Sequence, residues 1–189
     1  MGKNKLLFAS LLFAAMVSLG LQGSAQTDVA GWQDRLKQQL PLLGHRNWIL
    51  IVDSAYPLQT PQGIETIETN ADQLAVMKAV LTAVDHTIHV RPIVYLDAEL
   101  PFIPEQDYSG VGAYREELKR SLQGRPVRSL LHEQILGKIG EAGKSYKILV
   151  LKTTMTTPYT SVFIQLDCKY LNDAGEQKLR QAMKASSAR

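Results

Sequence analysis

Gly44-His45-Arg46-Asn47-Trp48-Ile49-Leu50-Ile51-Val52-Asp53-Ser54-Ala55-Tyr56-Pro57 is the stretch on which the fold turns. It opens on a Gly-His turn, runs through the apolar residues 48–52, and closes on an acid, small residues and a proline. A short apolar run bounded by turn signals predicts a buried strand, central in a sheet covered on both faces. His45 and Asp53 then lie at opposite ends of one strand, so a site using both needs a connecting segment to fold back. Gly44 frees the backbone for a tight turn, and an imidazole at a strand's edge can meet solvent and ligand. On this stretch alone, His45 reads as a histidine that hydrogen-bonds its own loop.

Working outward, residues 28–40 carry Val29, Trp32, Leu36 and Leu40 at helical spacing. This predicts an amphipathic helix capped by Asp28 and ended by Pro41 and Gly44. A polar loop at 58–63 leads to a short strand at 64–67. Asn70-Ala71-Asp72-Gln73 has the form of a capping box, and Leu74, Met77, Val80, Leu81 and Val84 then make one apolar stripe. His86 and His89 flank a segment rich in β-branched residues; 87–96 predicts a strand, so both read as surface or loop histidines and not as metal ligands. Residues 97–112 form a long loop of the kind that serves as a lid or subunit contact. Helices are predicted at 114–122, 132–141 and 173–184, and strands at 127–130, 146–151 and 162–168. Strands and helices alternate throughout, so the expected fold is α/β: a layered α/β/α domain around a central mixed sheet.

With 189 residues, 45% hydrophobic and 21% charged, the chain has globular values and room for one domain with a real core. The formal charge is +3, but the first 26 residues hold Lys3 and Lys5 and no acid, which leaves nineteen basic against eighteen acidic residues. That near-neutral balance, without a Lys/Arg cluster, gives no support for nucleic-acid binding. The one cysteine, Cys168, cannot form an internal disulfide and falls in a predicted strand. Lys3 and Lys5 precede an apolar run at 6–21, and Gly23-Ser24-Ala25 supplies small residues for cleavage. The expected organisation is a signal peptide, 1–25, and a single domain, 26–189, exported to a periplasm-like compartment with no membrane attachment after removal. There is no Walker loop, no Gly-x-Ser-x-Gly elbow and no zinc-type Cys/His set.

The polar groups that remain at strand ends are His45, Asp53, His132, Tyr159 and Ser161. They sit in segments that follow one another in a telling order: Leu43-Gly44-His45 with Asp53-Ser54-Ala55-Tyr56-Pro57, the helix-then-strand 72–100 ending Tyr95-Leu96-Asp97-Ala98-Glu99-Leu100, His132-Glu133-Gln134, and Pro158-Tyr159-Thr160-Ser161-Val162-Phe163-Ile164. In this order they resemble the D-ribose pyranase and L-fucose mutarotase family (RbsD/FucU), over roughly residues 36–168. The resemblance implies that His45 takes the family's acid/base position and Asp53 its sugar-binding acid. It implies further binding roles for His132 and Tyr159, and for Ser161 where the family has asparagine. It also implies a monosaccharide as ligand, and a ring-shaped homo-oligomer in which the closing strand completes a neighbour's site. Asn47 stands where the family commonly has an acid, and the segment between His132 and Tyr159 is a few residues longer.

Those residue types suit the chemistry the resemblance implies. Changing a sugar's anomer or ring size means opening the hemiacetal, with one proton going to the ring oxygen and another leaving the anomeric hydroxyl. An imidazole that titrates near neutrality can carry either proton, and no cofactor, metal or covalent nucleophile is required. Asp53 and Tyr159 are placed by this reading on sugar hydroxyls. The expected function is a mutarotase- or pyranase-like isomerase acting on a free monosaccharide. The alternatives are a non-catalytic carbohydrate-binding ring protein of the same fold, and an interaction module using the 97–112 loop.

Overall fold

The computed structural model describes residues 31–187; the predicted signal peptide and the Asp28 cap lie outside the described residues. In chain order come α1 (Trp32–Gln39), a 3-10 turn (Leu40–Leu42), β1 (Trp48–Val52), β2 (Ile64–Glu68), α2 (Gln73–Asp85) and β3 (Val90–Asp97). A second 3-10 turn (Leu100–Phe102), α3 (Val111–Ser121), β4 (Val127–Leu130), α4 (His132–Gly143), β5 (Ile148–Lys152), β6 (Val162–Cys168) and α5 (Asp173–Ser187) follow.

The strands form one mixed sheet in the order β2-β5-β1-β6-β3-β4. β1 pairs parallel with β5, β5 with β2, and β3 with β4, while β6 runs antiparallel between β1 and β3. Every residue of β1 is buried, as expected for a strand with neighbours on both edges and helices on both faces. Period-two alternation divides its side chains between two cores. Ile49 and Ile51 pack with α1, α2 and α3, through residues such as Leu36, Met77, Val80 and Leu118. Trp48, Leu50 and Val52 pack with Ile135 and Ile139 of α4. Each fully buried side chain of this size contributes about 1.5–3 kcal/mol, so β1 anchors both layers at once. This is the layered α/β/α fold around a central mixed sheet.

Several boundaries differ from the sequence expectation for local reasons. The cap of α2 is Asp72, whose carboxylate accepts from the Ala75 amide at 2.9 Å; Asn70 instead takes a left-handed turn conformation at φ 50°. Asparagine tolerates that conformation, which is how a capping pattern came to lie two residues early. β3 starts at Val90 and not at 87, because the Thr87 hydroxyl donates to the Val84 carbonyl at 2.8 Å and accepts from the Val90 amide at 3.4 Å, closing a turn. α3 starts at Val111, ahead of the expected 114, with the Glu105 carboxylate accepting from the amides of Gly110 and Gly112. The 98–110 connection is folded: the Arg115 guanidinium donates to the carbonyls of Leu100, Pro101 and Ile103. Among the described residues no helix is long and apolar enough to cross a membrane.

This topology sets the location of a site. The chain leaves β1 for β2 on one side, then returns through α2 to β3 on the other side of β1. In open α/β sheets the crevice at the carboxyl ends of the strands, where the winding direction switches, is where ligands bind. Here the start of β6 is inserted into that crevice, between the ends of β1 and β3.

Candidate functional site

Asp53 directly follows β1. Its Oδ1 accepts from the Ala55 amide at 2.9 Å, an Asx turn that bends the chain away from the sheet, and its Oδ2 accepts from the Ser161 hydroxyl at 3.3 Å. Ser161 is buried immediately before β6, so this bond joins the two sides of the crevice.

Asp97 ends β3 and is only 1% exposed. Its Oδ1 lies 3.1 Å from Nδ1 of His132, the first residue of α4, and its Oδ2 is buried with no hydrogen-bond partner. Burial pushes the Asp97 carboxyl up to about 6; the His132 imidazole pulls against this shift, and the charges of Glu99 and Asp53 add to it. Glu99 accepts from the backbone amide of His132 with both oxygens, at 3.1 and 3.2 Å, placing a carboxylate on the N-terminus of α4. His132 is thereby held by its backbone and by Nδ1, while its side chain keeps 26% exposure; Nε2 is the nitrogen left for a ligand.

Tyr159 completes the group. Its ring meets the His132 imidazole edge-on at 5.5 Å between centroids, and the Phe163 ring approaches the same imidazole at 6.2 Å. Tyr159 is 38% exposed and holds φ at 55°, a left-handed conformation that costs a non-glycine residue on the order of 1–3 kcal/mol. The next residue is pinned from beneath. The Thr160 carbonyl accepts from the Tyr114 hydroxyl at 2.7 Å and from the buried Gln73 amide, both reaching up from the α2 and α3 layer.

Asp53, His132, Tyr159 and Ser161 therefore gather at the carboxyl end of the sheet within one chain. His45 does not join them. It lies beyond the other end of β1, which at ~3.3 Å per residue puts roughly 15 Å or more of strand between it and Asp53. There it is exposed and lines a cleft of about 1030 Å3 with Arg46, Arg91, Arg125, Arg128 and Asp167. Asn47 supports the turn from below, accepting from the Gly44 amide at 2.7 Å and donating to the Lys147 carbonyl at 3.0 Å. An ionised acid at this position makes only the first of those bonds.

Sequence reasoning gave no site role to Asp97 or Glu99, and read Gln73 only as part of a helix cap. The available signal was Asp97-Ala98-Glu99 closing a buried strand, the same acid-after-strand pattern that singled out Asp53. Among the described residues no group of three or more His, Cys, Asp or Glu side chains is placed to hold a metal ion.

No protein-family model matches the sequence, and no curated protein matches it. Solved structures do resemble the fold. RbsD from Bacillus subtilis, complexed with D-ribose, is 19% identical, covers 69% of this chain and 89% of its own, and superposes with a TM-score of 0.50. FucU from Bifidobacterium longum is 17% identical, with 69% and 90% covered and a TM-score of 0.47. The fucose mutarotase from Streptococcus pneumoniae, in complex with L-fucose, is 15% identical, with 69% and 89% covered and a TM-score of 0.44. The superposition on RbsD leads to one conclusion: the chain has the RbsD/FucU-like fold.

Proposed function

We propose that this protein binds a free monosaccharide in the crevice at the carboxyl end of its sheet and interconverts the sugar's anomeric or ring forms by acid–base opening of the hemiacetal. The observation that carries the reading is the convergence of Asp53, His132, and the neighbouring Tyr159 and Ser161 on that crevice from three separate segments. A carboxylate, a hydroxyl, an imidazole and an aromatic edge suit a small polyol with an apolar ring face. RbsD, which shares the fold, is complexed with D-ribose, and this supports a monosaccharide as the ligand.

In this reading His45 is the general acid/base and comes from a neighbouring copy. Charge supports that arrangement. The crevice carries Asp53, Asp97 and Glu99, while the cleft around His45 is lined by four arginines against two carboxylates, Asp167 and Glu176, a net positive balance in which Arg91 pairs with Asp167 and Arg125 with Asp85. Opposite signs at opposite ends favour head-to-tail association, and a head-to-tail interface closes into a ring when its rotation permits. Exported by the segment 1–25, such a protein acts on free sugar before uptake.

The position of His45 also motivates a second reading, a carbohydrate-binding protein without catalysis. Magnetization-transfer NMR on monosaccharides separates the two readings. Accelerated anomer exchange by the wild type, lost in His45→Ala, supports the isomerase. Saturable binding in calorimetry with no acceleration selects the binding protein.

A further inference from the structure

We infer that His132 is a second proton carrier in this site and that Asp97 is the positioning residue that makes it one; the inference rests on the isomerase reading above. Ring opening needs two proton transfers at two oxygens, and one imidazole reaches both in succession only by moving. The His132–Asp97 couple supplies a second group, on the same chain as the rest of the crevice.

The geometry favours this role over simple binding of a sugar hydroxyl. Glu99 fixes the backbone of His132, Phe163 and Tyr159 fix the plane of its ring, and Asp97 accepts at Nδ1. With Nδ1–H committed to the carboxylate, the neutral ring presents the lone pair of Nε2, and the protonated ring presents an N–H there. Asp97 can meet a positive charge on the imidazole because its second oxygen is buried without a partner. The charged and titratable groups facing Asp97 are His132 from α4, Glu99 from the following turn, Asp53 from the end of β1, and Tyr114 from α3. Three of these are acidic or neutral, so His132 is the one cation they can share.

In the forward step one imidazole takes the proton of the anomeric hydroxyl as the carbonyl forms. The bond between the anomeric carbon and the ring oxygen breaks, and the ring oxygen takes a proton from the other imidazolium. Reclosure after rotation of the open chain reverses both transfers and returns each ring to its starting state. Nothing is oxidised and no proton is gained or lost overall.

The test uses the full-length protein with His132→Gln and Asp97→Asn. His132→Gln preserves size and hydrogen bonding but carries no proton. It is expected to slow anomer exchange about 100-fold or more, within the 10²–10⁴ span of a positioned acid/base, while sugar affinity by calorimetry changes less than about threefold. Asp97→Asn is expected to relax the His132 ring from the Nδ1–H towards the Nε2–H tautomer in 15N NMR, and to shift the pH profile of exchange. Exchange that falls only in proportion to affinity overturns the second-carrier role. An unchanged tautomer and pH profile in Asp97→Asn overturns the positioning role. A wild type that accelerates nothing removes the isomerase reading and the proton-carrier role with it, while the tautomer measurement still decides what Asp97 does to His132.

Discussion

Gln73 is completely buried and donates to the carbonyl oxygen of Thr160, an oxygen that also accepts from the Tyr114 hydroxyl at 2.7 Å. The Thr153 hydroxyl closes the set, lying 3.4 Å from Gln73 Oε1 and 2.9 Å from the Val52 carbonyl, the two acceptors between which its one proton is shared. One side chain thus ties the start of α2 to the segments before β6 and after β5, directly beneath Tyr159 and Ser161. Gln73→Leu leaves Thr160 with a single partner and buries an apolar group among hydroxyls. It is expected to cost about 2–3 kcal/mol in urea unfolding, and Tyr114→Phe about 1 kcal/mol. Both variants are also expected to weaken sugar binding, although neither residue lies on the open side of the crevice; unchanged affinity in a destabilised Gln73→Leu sinks the link between this knot and the site.

Tyr159 holds its ring against His132 at the cost of a left-handed backbone, φ 55°. Glycine adopts that conformation freely, so Tyr159→Gly recovers about 1 kcal/mol of strain. It also loses an edge-on aromatic contact of about 0.5–1.5 kcal/mol. The two nearly cancel, so the variant is expected to melt close to the wild type and yet lose sugar binding. A strong drop in melting temperature argues that Tyr159 is a structural residue.

Asp97 gives the fold a pH dependence whose sign is fixed by burial. Its carboxyl titrates about two units higher in the folded chain, about 6 against an ordinary 3.8. Below pH 4 it is protonated in both states and has no effect. As the pH rises from 4 to 6, the unfolded chain releases the proton and the folded chain retains it, so stability falls, by up to about 3 kcal/mol at 1.36 kcal/mol per unit. Asp97→Asn removes that loss. Urea midpoints of variant and wild type are expected to converge near pH 4, with the variant gaining steadily up to about pH 6.5; parallel curves across this range refute the assignment.

The strands and their order of appearance were legible because apolar runs bounded by turns leave few choices, and 127–130 and 162–168 match β4 and β6 residue for residue. The separation of His45 from Asp53 was equally legible, since a buried strand cannot fold back on itself. Asp97 was not. An acid at a strand's end reads the same whether it meets water or a core, and its burial is decided by α4, which arrives 35 residues later. Gln73 looked like half of a capping box because the same amide that reaches a backbone amide at a helix start also reaches, in three dimensions, a carbonyl 87 residues away. The sequence pattern carries periodicity well and long-range polar pairing poorly.

The head-to-tail reading makes a quantitative demand. If each site takes His45 from one copy and Asp53, His132 and Tyr159 from the next, no copy is complete alone. His45→Ala and Asp53→Asn rings are then each inactive, for different reasons. When the two variants are unfolded, mixed in equal amounts and refolded together, each interface draws at random. An intact site needs the His45 of an Asp53→Asn copy to meet the Asp53 of a His45→Ala copy, which occurs at about a quarter of the interfaces in a closed heterologous ring. Anomer exchange is expected to return to about a quarter of the wild-type rate. The charge asymmetry adds a salt dependence, because association driven by arginines facing carboxylates weakens as the Debye length shortens from about 10 Å at 0.1 M to 3 Å at 1 M. Sedimentation at the two ionic strengths measures this directly. A mixture that recovers nothing, together with a mass that stays monomeric at low salt, removes His45 from the site and leaves the His132–Asp97 couple as its only imidazole chemistry.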